Sequence, residues 1–316
     1  MKKFLIMMNL LLIISLCHAT KYAGEIFQLG AGVRNFALGN VGLTDENTSA
    51  AAYWNPSLLS KSDKMNIEIM HDEEFSGLMK YDTISATFGN SNRYSFVLSR
   101  IGIDKNARTK LNDYTQGVSE DNQPYVSEYF TNSDYIMYFG IMRTFFNKID
   151  LGFSPKIAYR SLAGNSGYGF GLDISSHKKI SSKLLLGIKI RDLIPTQIIW
   201  ENGTHENVTP SLDLETRYSL NFPIINKKSN LYFRMESFSE NRDYSSTLHL
   251  NNQFSADFHT GLEIKFNKYL NIYSGYDVDN FTAGLSVKIN KYNINYGFKQ
   301  NTELDNCHRI SIGIKL

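Results

Sequence analysis

Beyond the first nineteen residues the chain carries six histidines: His71, His177, His205, His249, His259 and His308. Asp257 and His259 are the pair with the most direct chemistry. Two residues apart on an extended chain, they share one face, where a carboxylate can orient an imidazole for acid–base work. Charges on the polar face of a strand have the same spacing, so the pair is ordinary content for such a face. His71-Asp72-Glu73-Glu74 has the composition of a cation site. Neighbours on an extended chain point apart, however, which favours a solvated turn. No Ser or Cys sits in a nucleophile turn. Gly30-x-Gly32 followed by Gly39 lacks the third glycine and the preceding strand of a dinucleotide loop. Asn202-Gly203-Thr204 and Asn207-Val208-Thr209 fit a glycosylation pattern, which is weak evidence on its own. The expectation is a protein that is not an enzyme, with no catalytic residue, cofactor or metal.

The elements that position these residues come from a different pattern. Lys2 and Lys3, the apolar run Phe4–Leu16 and the small residues around Cys17-His18-Ala19 read as a secretory signal peptide, residues 1–19. The chain has 33 Lys and Arg against 31 Asp and Glu, so removing Lys2 and Lys3 brings the balance to zero. Nucleic acid is not implied as a partner. Cys307 is then the only cysteine, and packing and hydrogen bonds must hold the fold.

From about residue 64 to Leu316, apolar and polar residues alternate. Ile310, Ile312, Ile314 and Leu316 point one way, and Arg309, Ser311, Gly313 and Lys315 the other. Fourteen such stretches are expected, near 65–71, 81–89, 93–103, 134–145, 149–160, 167–176, 183–191, 212–221, 230–238, 253–266, 269–277, 280–289, 292–299 and 307–316. Connections alternate as well. Those such as Asn267-Lys268 and Asn290-Lys291 are tight, whereas 104–133, 192–211 and 239–252 are long. Short turns at one end and long loops at the other are the habit of a transmembrane up-and-down barrel. Lipid cannot satisfy a free strand edge, so such a sheet must close. The mean hydropathy of −0.29 fits, because only every second residue meets hydrocarbon. The fold class is all-β: a bacterial outer-membrane antiparallel barrel of about fourteen strands, with outer-membrane lipid as its surroundings.

Residues 20–63 do not alternate. Their glycines and alanines allow close backbone approach. A short helix over Ala50–Trp54, capped by Ser49 and ended at Asn55-Pro56, is expected. A polar, Gly-rich stretch ahead of a barrel fits as a plug, so the chain divides into signal 1–19, plug (hatch) 20–63 and barrel 64–316. The lumen face mixes signs, with Lys156, Arg160, Lys189 and Arg191 against Asp173, Asp213, Glu215, Glu236 and Glu263. Mixed charges point to a structural ion-pair network rather than an ion-selective ring. Pro155, mid-strand, removes a ladder donor and marks a kink, a bulge or a side opening.

The plug motif consists of Gly30, Gly32, Arg34, Ala37-Leu38-Gly39, the acidic step Asp45-Glu46, and Ala52-Tyr53-Trp54-Asn55-Pro56-Ser57. This string resembles the N-terminal signature of the FadL-like outer-membrane proteins. It is most similar to the branch holding the PorV and PorQ components of type IX secretion and the UPF0164 proteins. Ile198-Ile199-Trp200 followed by Val208-Thr209-Pro210 resembles that branch's Trp-to-Pro loop. The resemblance implies a fourteen-stranded barrel with an N-terminal plug. It also implies a secretion or surface-attachment component whose long outer loops bind exported proteins or secretion machinery. The alternative it implies is a passive conduit for hydrophobic, fatty-acid-like small molecules. Tyr114, Tyr125, Tyr129 and Phe130 in the longest loop suit either use.

Overall fold

The computed structural model describes residues 23–62, 65–90, 92–146, 148–222, 226–239, 248–250, 254–301 and 305–316. The expected signal peptide and most of the loop expected at 239–252 lie outside the described residues. The strands are β1 (Met65–Glu74), β2 (Met79–Phe88), β3 (Tyr94–Lys110), β4 (Tyr125–Phe145), β5 (Ile149–Leu162), β6 (Asn165–Lys179), β7 (Leu184–Trp200) and β8 (His205–Val208). They continue as β9 (Ser211–Phe222), β10 (Lys227–Phe238), β11 (Leu248–Leu250), β12 (Phe254–Lys265), β13 (Leu270–Asp277), β14 (Asn280–Ile289), β15 (Tyr292–Lys299) and β16 (Cys307–Lys315).

Fourteen of these make one closed antiparallel barrel. Each pairs with its neighbours along the chain, β10 bonds directly to β12, and β16 closes on β1 from Asn66↔Lys315 to Glu73↔His308. The short β8 and β11 only extend β7 and β12. The alternation decides which way each face looks. Ile310 and Ile312 are 54% and 57% exposed, while Arg309 and Ser311 between and beside them are buried. Phe170, Leu231, Phe233 and Ile294 are likewise exposed, and Asp173, Lys189 and Asp213 buried. A wall with its greasy side out and its charges in is inverted relative to a water-soluble protein and is stable only against hydrocarbon. The fold is thus an outer-membrane type of barrel.

Two of the expected loops are largely strand. β3 and β4 continue their ladder to Lys110↔Tyr125, leaving residues 111–124 as the connection rather than 104–133. β7 runs to Trp200 and turns back into β8, which occupies much of 192–211. Where a hairpin rises out of lipid, both faces meet water, so pairing persists without the apolar alternation that reveals it. Irregular positions mark the departure: Lys105 and Asp192 both have φ in the left-handed region, and the ladder register shifts between Ile103 and Asn106 and between Leu172 and Ile174. At Pro155 the β4–β5 ladder lacks the partners between Tyr138↔Lys156 and Ile141↔Phe153, with no change of register. The β5–β6 ladder continues through Pro155↔Leu172.

Candidate functional site in the barrel lumen

Residues 23–62 contribute a 3₁₀ turn at Glu25–Phe27, the helix α1 (Val33–Ala37) and a 3₁₀ helix at Pro56–Lys61. The short helix expected over Ala50–Trp54 is reduced to a single turn, with Tyr53 N and Trp54 N both donating to Ala50 O at 3.0 Å, and a regular helix begins only at Pro56. Ser49 spends its hydroxyl on Glu68 and Ser85 instead of capping, and Thr48 Oγ1 takes the Ala50 N–H. Asn55 becomes the cap: its Oδ1 accepts from Ser57 N at 3.1 Å, and Pro56 suits the first helical position because it has no N–H to satisfy.

Almost every residue of this segment is buried, and its partners are inward-facing side chains around the lumen. Glu215 of β9 accepts from Gly42 N at 2.8 Å, Leu43 N at 3.0 Å, Thr44 N at 2.9 Å and Thr44 Oγ1 at 2.6 Å. One carboxylate thereby satisfies three backbone donors that have no helix or ladder of their own. Arg34 in α1 forms a charge-assisted pair with Asp45, lies 3.0 Å from Glu263 Oε2 of β12, and donates to the Tyr232 hydroxyl. Burial pulls the Arg34 pKa down, but the carboxylates of Asp45 and Glu263 more than reverse this and hold the guanidinium charged.

Arg309 of β16 binds Asp72 at 2.6 Å and Glu74 at 3.1 Å, and donates to Leu29 O at 3.1 Å. Arg234 of β10 joins Asp213, Glu236 and the Asn40 carbonyl. Lys189 of β7 donates to Tyr53 O and pairs with Asp173 at 2.9 Å; Asp173 also holds Lys156 at 2.9 Å. Where the segment meets β12 and β13 there is no room for side chains. Gly39 has φ +76°, and a Cβ there would lie 2.3 Å from Thr260 O; a Cβ on Gly275 would lie 2.6 Å from the Leu38 carbonyl carbon.

The remaining motif residues fall in the same assembly. Gly30 has positive φ, its N–H donates to the Tyr53 hydroxyl, and its carbonyl accepts from Tyr81. Gly32, also at positive φ, precedes α1. Ala37 O accepts from Thr282 of β14. Trp54 Nε1 donates to Ala31 O at 2.8 Å, and Asn55 Nδ2 to Leu43 O at 2.7 Å.

The acid–base pair read from the sequence is assembled differently. His259 Nδ1 lies 2.9 Å from Asp277 Oδ1, across the β12–β13 ladder, and Nε2 lies 3.8 Å from Glu236 Oε2, so its orienting carboxylate is Asp277 rather than Asp257. His71 bonds Asp82 at 2.6 Å, while Asp72 and Glu74 turn inward to Arg309. Among the described residues no group of three or more His, Cys, Asp or Glu is placed to hold a metal.

The lumen is not polar throughout. Met70, Tyr81, Val97, Ile101, Ile136, Tyr138, Ile198, Trp200 and Val208 form one buried apolar cluster with Phe27, Tyr53 and Trp54 of the segment. Both tryptophans of the chain lie in it. The sequence pattern alone does not reveal this patch, because its members sit on the face otherwise occupied by charges. The available signal was that apolar residues hold both faces in 96–103 and 135–139, where strict alternation lapses.

No family model matches this chain, and no curated protein matches it. Solved structures do. The toluene transporter TbuX of Ralstonia pickettii superposes with a TM-score of 0.58 at 10% identity, over 92% of this chain and 99% of that one. The toluene transporter TodX of P. putida gives 0.57 at 13% identity, over 92% and 99%. The monoaromatic hydrocarbon channel CymD gives 0.52 at 10% identity, over 92% and 98%. This chain has the fold of those channels. The likeness agrees with the fourteen-stranded barrel expected from the sequence. At such low identity it speaks for the fold alone.

Proposed function

We propose that this protein is a passive outer-membrane conduit for small hydrophobic molecules, with residues 20–63 as its plug and the first nineteen residues as the export signal. The observation that carries this reading is the larger of two buried apolar clusters inside a lumen whose remaining lining is rich in ion pairs. A structural filler needs no greasy patch under the loop end, and nonpolar side chains there forgo the ion pairs used elsewhere. A monoaromatic-sized ligand would take the place of Phe27 and Ile26, which cover the patch, and would lie against Tyr53, Trp54 and Trp200. The three related structures, all channels or transporters for small aromatic hydrocarbons by their names, point the same way. The PorV/PorQ-type role in protein export rests on the N-terminal motif and takes second place.

The experiment uses the chain's own reporters. Trp54 and Trp200 are the only tryptophans, so saturable quenching or a spectral shift of their fluorescence on adding toluene or a medium-chain fatty acid to the detergent-folded protein supports the conduit. Trp200→Phe should keep half of the signal. A spectrum unchanged to the solubility limit of both ligand types contradicts it.

A further inference from the structure

The two ends of the barrel carry opposite charge. At the end where β1 begins and β16 finishes, the turns hold exposed Lys148, Lys178, Lys179, Lys183, Lys228 and Lys291. Among the described residues of segments 88–94, 177–184, 219–229, 264–271 and 286–293 there is no Asp or Glu; the one remaining turn, β4–β5, carries Asp150 beside Lys148, and that carboxylate accepts from Thr144 and lies 3.8 Å from His177 Nε2. At the other end Glu73, Glu120, Asp121, Glu201, Asp279 and Asp305 are exposed and outnumber the exposed cations Lys105, Arg108 and Lys110 of the β3–β4 hairpin. Aromatic rings stand among the lysines: Lys227 Nζ lies 5.6 Å from the Phe266 ring centre, Lys268 Nζ 4.8 Å from Tyr269, and Lys291 Nζ 5.6 Å from Tyr292. Rings and ammonium groups in one belt belong at headgroup depth.

Beside this belt the outer wall is concave. A groove of about 850 Å³ is lined by Ile149, Leu186, Ile188, Leu214, Phe233 and Met235, with Lys148 and Lys178 at its charged margin; His177 and Glu215 also border it, the Glu215 carboxylate being taken up by the Gly42 to Thr44 N–H groups. The registers Lys178↔Leu186, Leu186↔Thr216 and Thr216↔Phe233 make one row across the wall. Ser176↔Ile188, Ile188↔Leu214 and Leu214↔Met235 make the next row, farther from the lysines. Two ammonium groups at the headgroup end and an apolar trough running away from them match one molecule: a phospholipid of net negative charge.

We infer that this groove is a binding site for an anionic phospholipid of the leaflet facing the basic end. Its phosphate lies between Lys148 and Lys178, and one acyl chain runs along Ile188, Leu214 and Met235. The inference goes beyond the conduit reading and does not depend on what, if anything, crosses the lumen. A soluble acidic macromolecule would use the lysines but leave the trough unused.

The test is lipid retention by the full chain, folded and purified in mild detergent with equal phosphatidylglycerol and phosphatidylcholine, then extracted and weighed by mass spectrometry. Phosphatidylglycerol should be enriched roughly tenfold, as two nearby ammonium groups allow. Lys148→Gln/Lys178→Gln should abolish the preference. Leu214→Trp, which fills the trough without touching a charge, should lower retention of both lipids. Lys105→Gln/Arg108→Gln at the opposite end should change nothing. Heat-modifiable gel mobility verifies that each variant is folded. Equal retention of the two lipids, an undiminished preference in the double lysine variant, or tight heparin binding without lipid enrichment overturns the inference.

Discussion

The wall and the segment it encloses are built on opposite rules. The wall is repetitive: most strands repeat the same two-residue pattern, and, the break at Pro155 aside, the ladder to the next strand satisfies the backbone. The segment 23–62 has little regular structure, and where its own short turns leave backbone groups over, side chains far away in sequence take them, such as Glu215 for Gly42 to Thr44 and Arg309 for Leu29. The outward face of a repetitive wall tolerates the loss of any one apolar side chain, because the ladder is backbone-made. The segment is sensitive to single polar substitutions, because each buried charge inside the lumen has specific partners.

That contrast can be broken or sharpened by substitution. Arg309→Leu leaves Asp72 and Glu74 buried without their cation and should cost about 3–5 kcal/mol in urea unfolding; a loss under 1 kcal/mol would mean the lumen is wet. On the wall, Ile312→Arg places a cation against hydrocarbon and should cost about 2–4 kcal/mol. Were it harmless, that face would not meet lipid. Glu215→Gln retains the shape but gives up the charge on the acceptor of three N–H groups, for roughly 1–3 kcal/mol. Hydrogen exchange at Gly42 to Thr44 should quicken well ahead of exchange in β9, and uniform quickening would deny the segment its independence. The smallest effect is expected from Pro155→Ala, which restores a donor to the interrupted β4–β5 ladder and should stabilise by about 1 kcal/mol. Destabilisation would show that the break is held open by something other than the missing N–H.

How much was legible follows from the same contrast. Strands such as β14 and β16 could be read almost residue by residue, since a period of two sustained from end to end is the mark of a ribbon with two unlike faces. The rising hairpins of β3–β4 and β7–β8 have the sequence of loops because alternation stops where lipid stops, although pairing does not. Inside, the sequence shows that Arg34, Asp45, Glu215 and Glu263 are charged and inward. It does not show which meets which: Glu215 meets Gly42, and Arg34 meets Glu263, across well over a hundred residues, and only Arg34 and Asp45 are near in the chain, eleven residues apart. The capping helix was misplaced by about six residues, because Ser49 was free to cap only if Glu68 and Ser85 were ignored.

The claim on which this account most depends is that residues 23–62 occupy the passage. Planar-bilayer conductance of the complete protein, compared with a deletion of residues 24–59, tests it directly. The account predicts a silent complete protein and discrete open-channel steps after the deletion. Equal conductance in the two, with both verified as folded barrels, would contradict it.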